Sequence, residues 1–443
     1  MRAGRIVAAA AAAGAMGLGL ACSAQGPRPD AGHASHATGP AGPAGPASPA
    51  SPASPAPNVG QPTAGLVPAQ LEQAYNLGPL RRRGINGAHQ TIVIVDSFGS
   101  PTIARDLASF DQAFGLRPPA SLRIIQPAGQ VAAYQPTSTR IGWASETTLD
   151  VEWAHAMAPG AGILLVETPT AENEGRSGFP QIVAAETYVI RHHLGQVISQ
   201  SFGATEETFR SPAALRGLRG AYLLAAEPAH AVTVLAASGD SAASGDTYNM
   251  QSLYPRRVVE WPATDPLVTA VGGTFLSLSH AGQRLAPDVA WSRGGGGLSA
   301  VFTRPAYQDG VAAITGSRRG IPDISMNASC ASPVALFASF PGTGTSHWQT
   351  ICGTSMATPL FAGVVALADQ VAGHSLGLIN PALYKMSAAH DPGIVDIRSG
   401  NNSTVAGGHA VPGFRAGPGY DLVTGVGTVN AAYFVPELAR LAR

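Results

Sequence analysis

Continuous apolar, β-branched runs recur along this chain, and the stretches between them switch to a helical period. The runs are QTIVIV at residues 90–95, AGILLVE at 161–167, QVISQS at 196–201 and AVTVLAAS at 231–238. A run with no polar alternation predicts a strand buried on both faces, as in a parallel sheet. Helical patterns fill residues 66–77, 144–157, 180–194, 211–228 and 360–372. Strands alternating with helices predict an α/β fold, with a mostly parallel central sheet flanked by helices on both faces in a single domain. The runs end in small or acidic residues, among them Asp96-Ser97, Ser201 and Ser238-Gly239-Asp240. The carboxyl ends of such strands are where these folds place their sites.

That texture begins near residue 63. Before it, residues 1–22 read as an export signal, with Arg2 and Arg5 ahead of the apolar stretch 6–21. Cys22 then follows. Lipidation of Cys22 would anchor the protein to the outer face of a bacterial membrane, and cleavage after Ser23 would release it as a secreted protein. Residues 23–62 are a Pro/Ala/Gly-rich linker with almost no large apolar side chains, so they cannot build a core. In extended polyproline form they span roughly 100 Å. The globular part covers 63–443.

Composition narrows the function. Charged residues are 12% of the chain and cancel, with 27 basic and 27 acidic. The only basic cluster is Arg81, Arg82 and Arg83, which excludes a nucleic-acid binder. Cys330 and Cys352 remain after the signal. In an exported protein they are candidates for one disulfide, and two buried free thiols are the alternative.

The sharpest chemical string is Gly353-Thr354-Ser355-Met356-Ala357-Thr358-Pro359, ahead of an apolar helical stretch. A serine at a helix N-terminus meets the helix dipole and free backbone N–H groups, which can serve an oxyanion. Pro359 suits a first helical turn. A plain Ser/Thr N-cap would look similar locally. A serine hydroxyl also needs a base. The same string occurs in subtilisin-like peptidases, whose histidine sits in an His-Gly-Thr motif. None of the 12 histidines here is followed by Gly-Thr. His155 falls five residues past Asp150, off that residue's helical face, and reads as structural. Glu146 and Asp150, four apart within GWASETTLDVEWAHAMAPGA (142–161), share one helix face among apolar neighbours. Such a pair predicts a shared proton and a base that works in acid, where an imidazole is protonated. Asp240, in a Gly/Ser turn after a buried run, is either an Asx-turn residue or a neutral acid donating to an oxyanion.

These strings together resemble the sedolisin family of serine-carboxyl peptidases, over roughly residues 66–430. They run in the family's order: LVPAQLEQAYNL with TIVIVDSFG, ETTLDVEWAHAMAPGA, SQSFGATEE, LAASGDS, TAVGGT, PDIS, GTSMATPLFAG and LGLINPALY. The resemblance implies a subtilisin-like fold and hydrolysis of protein or peptide substrates in acid. It casts Ser355 as nucleophile, Glu146 as base, Asp150 as the residue orienting Glu146, and Asp240 as the oxyanion acid. Ser201, Phe202 and Gly203 match a strand that pairs with substrate backbone. One calcium ion is implied at Asp396, Ile397, Gly417, Gly419 and Asp421. Asp96 stands where many members carry glutamate, Phe202 where tryptophan is frequent, and Cys352 where glycine is usual. Members usually carry a long prodomain, which this sequence lacks. Two alternatives are a catalytically silent peptide-binding surface protein and a neutral Ser-His-Asp peptidase. A pH profile separates all three.

Overall fold

The computed structural model describes residues 60–442, apart from 176, 345 and 346. The signal, Cys22 and all but the last few residues of the linker lie outside the described residues.

Seven strands form one parallel path. They are β1 (Thr91–Ser97), β2 (Leu122–Ile125), β3 (Gly162–Thr168), β4 (Val197–Gln200), β5 (Thr233–Ala237), β6 (Thr269–Phe275) and β7 (Ile324–Asn327). Their order across the sheet is β7-β6-β5-β4-β1-β3-β2, with every pairing parallel. The short strand Val289–Ala290 adds an antiparallel edge to β6. β3 through β5 are buried along their whole length, which is why they read as unbroken apolar runs.

Helices cover both faces. α1 (Ile103–Phe114), α2 (Ser138–Met157), α3 (Phe179–Arg191), α4 (Thr354–Ala372) and α5 (Ala431–Leu441) are the main ones. α4 runs under the middle of the sheet, with α2 beside it and α5 behind it. Enclosed on all sides, α4 needs no polar face. It is the one helix among the described residues long and apolar enough to cross a membrane, and 83% of that stretch is buried inside the protein. α3 packs on the other face, where Phe179, Tyr222 and Trp261 form an aromatic cluster.

The expected helix at 211–228 is instead two short pieces, Pro212–Arg216 and Gly220–Ala225. Gly217 and Gly220 flank the break, and each glycine inside a helix costs about 1 kcal/mol relative to alanine. The helix expected from 360 starts at Thr354, so Pro359 lies inside it and not in its first turn.

Candidate active site

Three segments meet at the carboxyl ends of β1, β4 and β5. α4 opens at Gly353, whose φ is 135°. A Cβ there would also lie 2.5 Å from Oδ2 of Asp240, so the position requires glycine. Asp240 Oδ1 accepts from the Thr354 backbone N–H at 2.7 Å and from its hydroxyl at 2.8 Å. The half-buried Asp240 therefore caps α4 with one oxygen and turns the other toward Gly353. Burial raises its carboxyl above the usual range, against the two Thr354 donors. Cys330 and Cys352 are joined in a disulfide, which ties the residue before Gly353 to the segment after β7.

Ser355 is 1% exposed, and its hydroxyl donates to the Ser201 carbonyl at 3.4 Å. In a regular helix the Ser355 carbonyl would accept from the N–H of residue 359. Pro359 has none. The Ser201 hydroxyl takes that place, donating to the Ser355 carbonyl at 3.2 Å. Pro359 thus frees an acceptor that locks the serine to the end of β4.

Glu146 and Asp150 lie one turn apart on α2, both buried, and α2 packs along α4. Burial, then Asp96, then Glu146 push the Asp150 carboxyl well above its ordinary range, while the Ser201 hydroxyl opposes the shift. Asp96, at the end of β1, is pushed up to about 7 by burial and by Glu167, against the Thr147 hydroxyl. The structure therefore gathers Ser355, Ser201, Asp150, Asp96 and Asp240 with Glu146 at the sheet's carboxyl edge. His155 points elsewhere. Its Nε2 lies 3.1 Å from Asp111 Oδ1 and 3.0 Å from the Arg117 carbonyl, on the α1 side of α2. It is the only buried histidine among the described residues.

Ser201, Phe202 and Gly203 leave β4 as an irregular segment before Ala204–Thr205, outside any strand. Phe202 packs against Trp143 and Phe179, each with ring centroids 6.3 Å away. Beside Gly203 lies a group that the sequence reading missed. Glu260 would be 2.8 Å from a Cβ at either Gly203 or Gly239. Glu172, Glu174 and Asp246 surround it, and mutual repulsion adds to burial in raising Glu172, Glu174 and Glu260. Glu172 and Glu174 come from one loop, Asp246 from another segment and Glu260 from the short strand Glu260–Trp261, and no local motif marks them.

Near the C-terminus, Asp396 Oδ1 accepts from Gly419 N–H at 3.1 Å, and Asp421 Oδ2 accepts from Gly417 N–H at 3.0 Å. The two carboxylates thus converge on the 417–421 loop beside Ile397. The Arg398 guanidinium sits 2.7 Å from Asp396 Oδ2, so this corner already draws positive charge. Among the described residues no three His, Cys, Asp or Glu side chains group to hold a metal. An ion here would draw on two carboxylates and backbone carbonyls, an all-oxygen donor set that fits calcium.

The model of the subtilase family matches residues 126–389, well over half of the chain. Kumamolisin from Bacillus sp. (strain MN-32) is 33% identical over 381 residues, covering 83% of this chain and 62% of the relative. Sedolisin from Pseudomonas sp. (strain 101) is 28% identical over 365 residues, covering 78% and 57%. Human tripeptidyl-peptidase 1 is 29% identical over 301 residues, covering 64% and 50%. The chain therefore spans between half and two thirds of the length of these relatives. A solved structure of Pseudomonas sedolisin, a serine-carboxyl proteinase complexed with two molecules of pseudo-iodotyrostatin, superposes with a TM-score of 0.71. It has 27% identity, covering 86% of this chain and 99% of that one.

Proposed function

The chain belongs to the sedolisin family of serine peptidases within the subtilases, and from that premise we propose that it is an acid-active endopeptidase using a Ser355–Glu146–Asp150 set. The observation that carries this reading is the buried run of carboxyl groups beside Ser355, with the only buried histidine turned toward Asp111.

Glu146 takes the Ser355 proton as Oγ attacks the peptide carbonyl, and returns it to the leaving amine. Asp150, held largely protonated by burial and its acidic neighbours, orients Glu146. The oxyanion forms at the start of α4, near the helix's positive end. Asp240 is neutral in acid and donates from the oxygen that Thr354 leaves free. Water then hydrolyses the acyl-enzyme by the same path in reverse. Ser201, Phe202 and Gly203 would align the substrate backbone.

Casein incubated with the protein at pH 4 tests the activity and its mode. An endopeptidase yields internal fragments of mixed length. Successive release of tripeptides alone would overturn the endopeptidase assignment, and no cleavage would overturn the function.

Asp396, Asp421 and the carbonyls of Ile397, Gly417 and Gly419 would hold one calcium ion, which supplies charge to pin the C-terminal loop. Chelation is expected to lower the melting temperature by about 5 °C, given roughly 2.7 kcal/mol of linkage at a hundredfold ligand excess. Readdition of calcium should restore it, and a melting curve indifferent to both would remove the ion from the account. Export with Cys22 as a lipid anchor completes the proposed setting, with fatty-acid labelling as its test.

A further inference from the structure

One acidic side chain outside the expected set is built against it. Asp96 and Glu167 are partners in the parallel register of β1 and β3, so their side chains leave the sheet on the same face. Both are buried, Asp96 at 0% and Glu167 at 7% exposure. Glu167 is bonded at one oxygen and closely packed at the other. Gln126 Nε2 donates to Oε2 at 2.7 Å. Oε1 rests on Gly99, where a Cβ would come within 1.8 Å of it. Gly99 has a φ of 69° and follows Phe98 at 67°, so the chain after Asp96 turns sharply around this carboxyl. Arg140 closes the outer side. It belongs to α2, the helix carrying Glu146 and Asp150, and its guanidinium lies 4.5 Å from the Phe98 ring centroid.

The charged and titratable groups around this line are few. Glu167 faces Asp96 from β1, Arg140 from α2 and the Gln126 amide. Asp96 faces Glu167, Asp150 and the Thr147 hydroxyl. Asp150 faces Asp96, Glu146 and the Ser201 hydroxyl. The acids therefore run in one line, Glu146–Asp150–Asp96–Glu167, from the nucleophile's neighbour out to Arg140.

We propose that Glu167 is a positioning residue for catalysis, whose carboxylate, set beside Asp96 by strand register, keeps the proton on the Asp96–Asp150 pair as the pH rises. Its action is one-sided. In strong acid Glu167 is protonated and electrically equivalent to glutamine. Burial raises the Glu167 carboxyl, while the Gln126 amide and Arg140 favour its charge; once ionised, it opposes loss of the proton from Asp96, and through Asp96 from Asp150.

This inference rests on the carboxylate-base reading, and the test separates the two. kcat/KM on fluorescently labelled casein is measured from pH 3 to 8 for the full chain, Glu167→Gln and Gln126→Met. In Glu167→Gln the alkaline limb should move to lower pH by about half a unit to one unit, a threefold to tenfold loss on that limb, with the acid limb unmoved. Gln126→Met removes the amide that favours the Glu167 carboxylate, so Glu167 ionises later and the alkaline limb should again move to lower pH. A Glu167→Gln profile that superposes on the wild type, or is scaled down equally at every pH, overturns the proposal. If Glu167→Gln fails to fold, Gln126→Met decides alone, and an unshifted or raised limb there overturns it. Wild-type protein inactive in acid would sink the underlying reading. An active wild type with an unshifted Glu167→Gln sinks this inference only.

Discussion

Ser355→Ala should reduce casein hydrolysis in acid to near background, with kcat falling on the order of 10⁴- to 10⁶-fold, as when a serine nucleophile is removed elsewhere. The side chain lost is one oxygen, and its resting hydrogen bond to Ser201 is long at 3.4 Å. The lock from the Ser201 hydroxyl ends on the Ser355 backbone carbonyl, so it stays. Stability should therefore change by about 1 kcal/mol or less. Glu146→Gln keeps the shape of the base and removes its proton affinity, so it should lose activity comparably. The pair should be strongly non-additive, because each residue is useless without the other. Single-turnover assays on the two variants and the double variant check this. A Ser355→Ala protein retaining a tenth of wild-type activity would place the nucleophile elsewhere.

Stability should fall as the pH rises from 4 to 8. The groups responsible are buried acids with raised folded-state pKa values. Asp96 lies at about 7, Asp246 at about 6 and Glu174 at about 9. Asp150, Glu172 and Glu260 also lie well above the ordinary range. In the unfolded chain such groups titrate near 4. Below that pH both states hold the protons and the folded state keeps its full stability. Between about 4 and each folded value the unfolded chain releases protons that the folded chain retains. Raising the pH then favours unfolding, by about 1.4 kcal/mol per unit for each group. Several such groups acting together should lower the melting temperature by on the order of 10 °C between pH 4 and pH 8. Calorimetry at fixed ionic strength reads this directly. A melting temperature that stays flat or climbs over that range would mean the buried acids are ionised and paired in the native state.

The sheet was legible because α4 and α2–α3 shield it on both faces, so strands such as Gly162–Thr168 carry no polar alternation. Ser355, Glu146, Asp150 and Asp240 stood out as candidates because each sits in a short, recognisable string, although the contacts that hold Ser355 and Asp240 come from residues more than 100 positions away. Pro359 was misplaced by one and a half turns because a proline within a helix reads as a start. Its real effect depends on Ser201, more than 150 residues earlier. Glu260 with Glu172, Glu174 and Asp246, and Glu167 beside Asp96, were hidden for the same reason. Their meaning comes from register and loop convergence, which no local spacing encodes.

The central claim is that a carboxylate, with no imidazole, deprotonates Ser355. The pH dependence of kcat/KM for the wild type and His155→Ala tests it most directly. The account predicts a maximum well below neutrality, where imidazole is protonated, and the same profile in His155→Ala for whatever fraction folds. A maximum near neutrality that His155→Ala abolishes would contradict it.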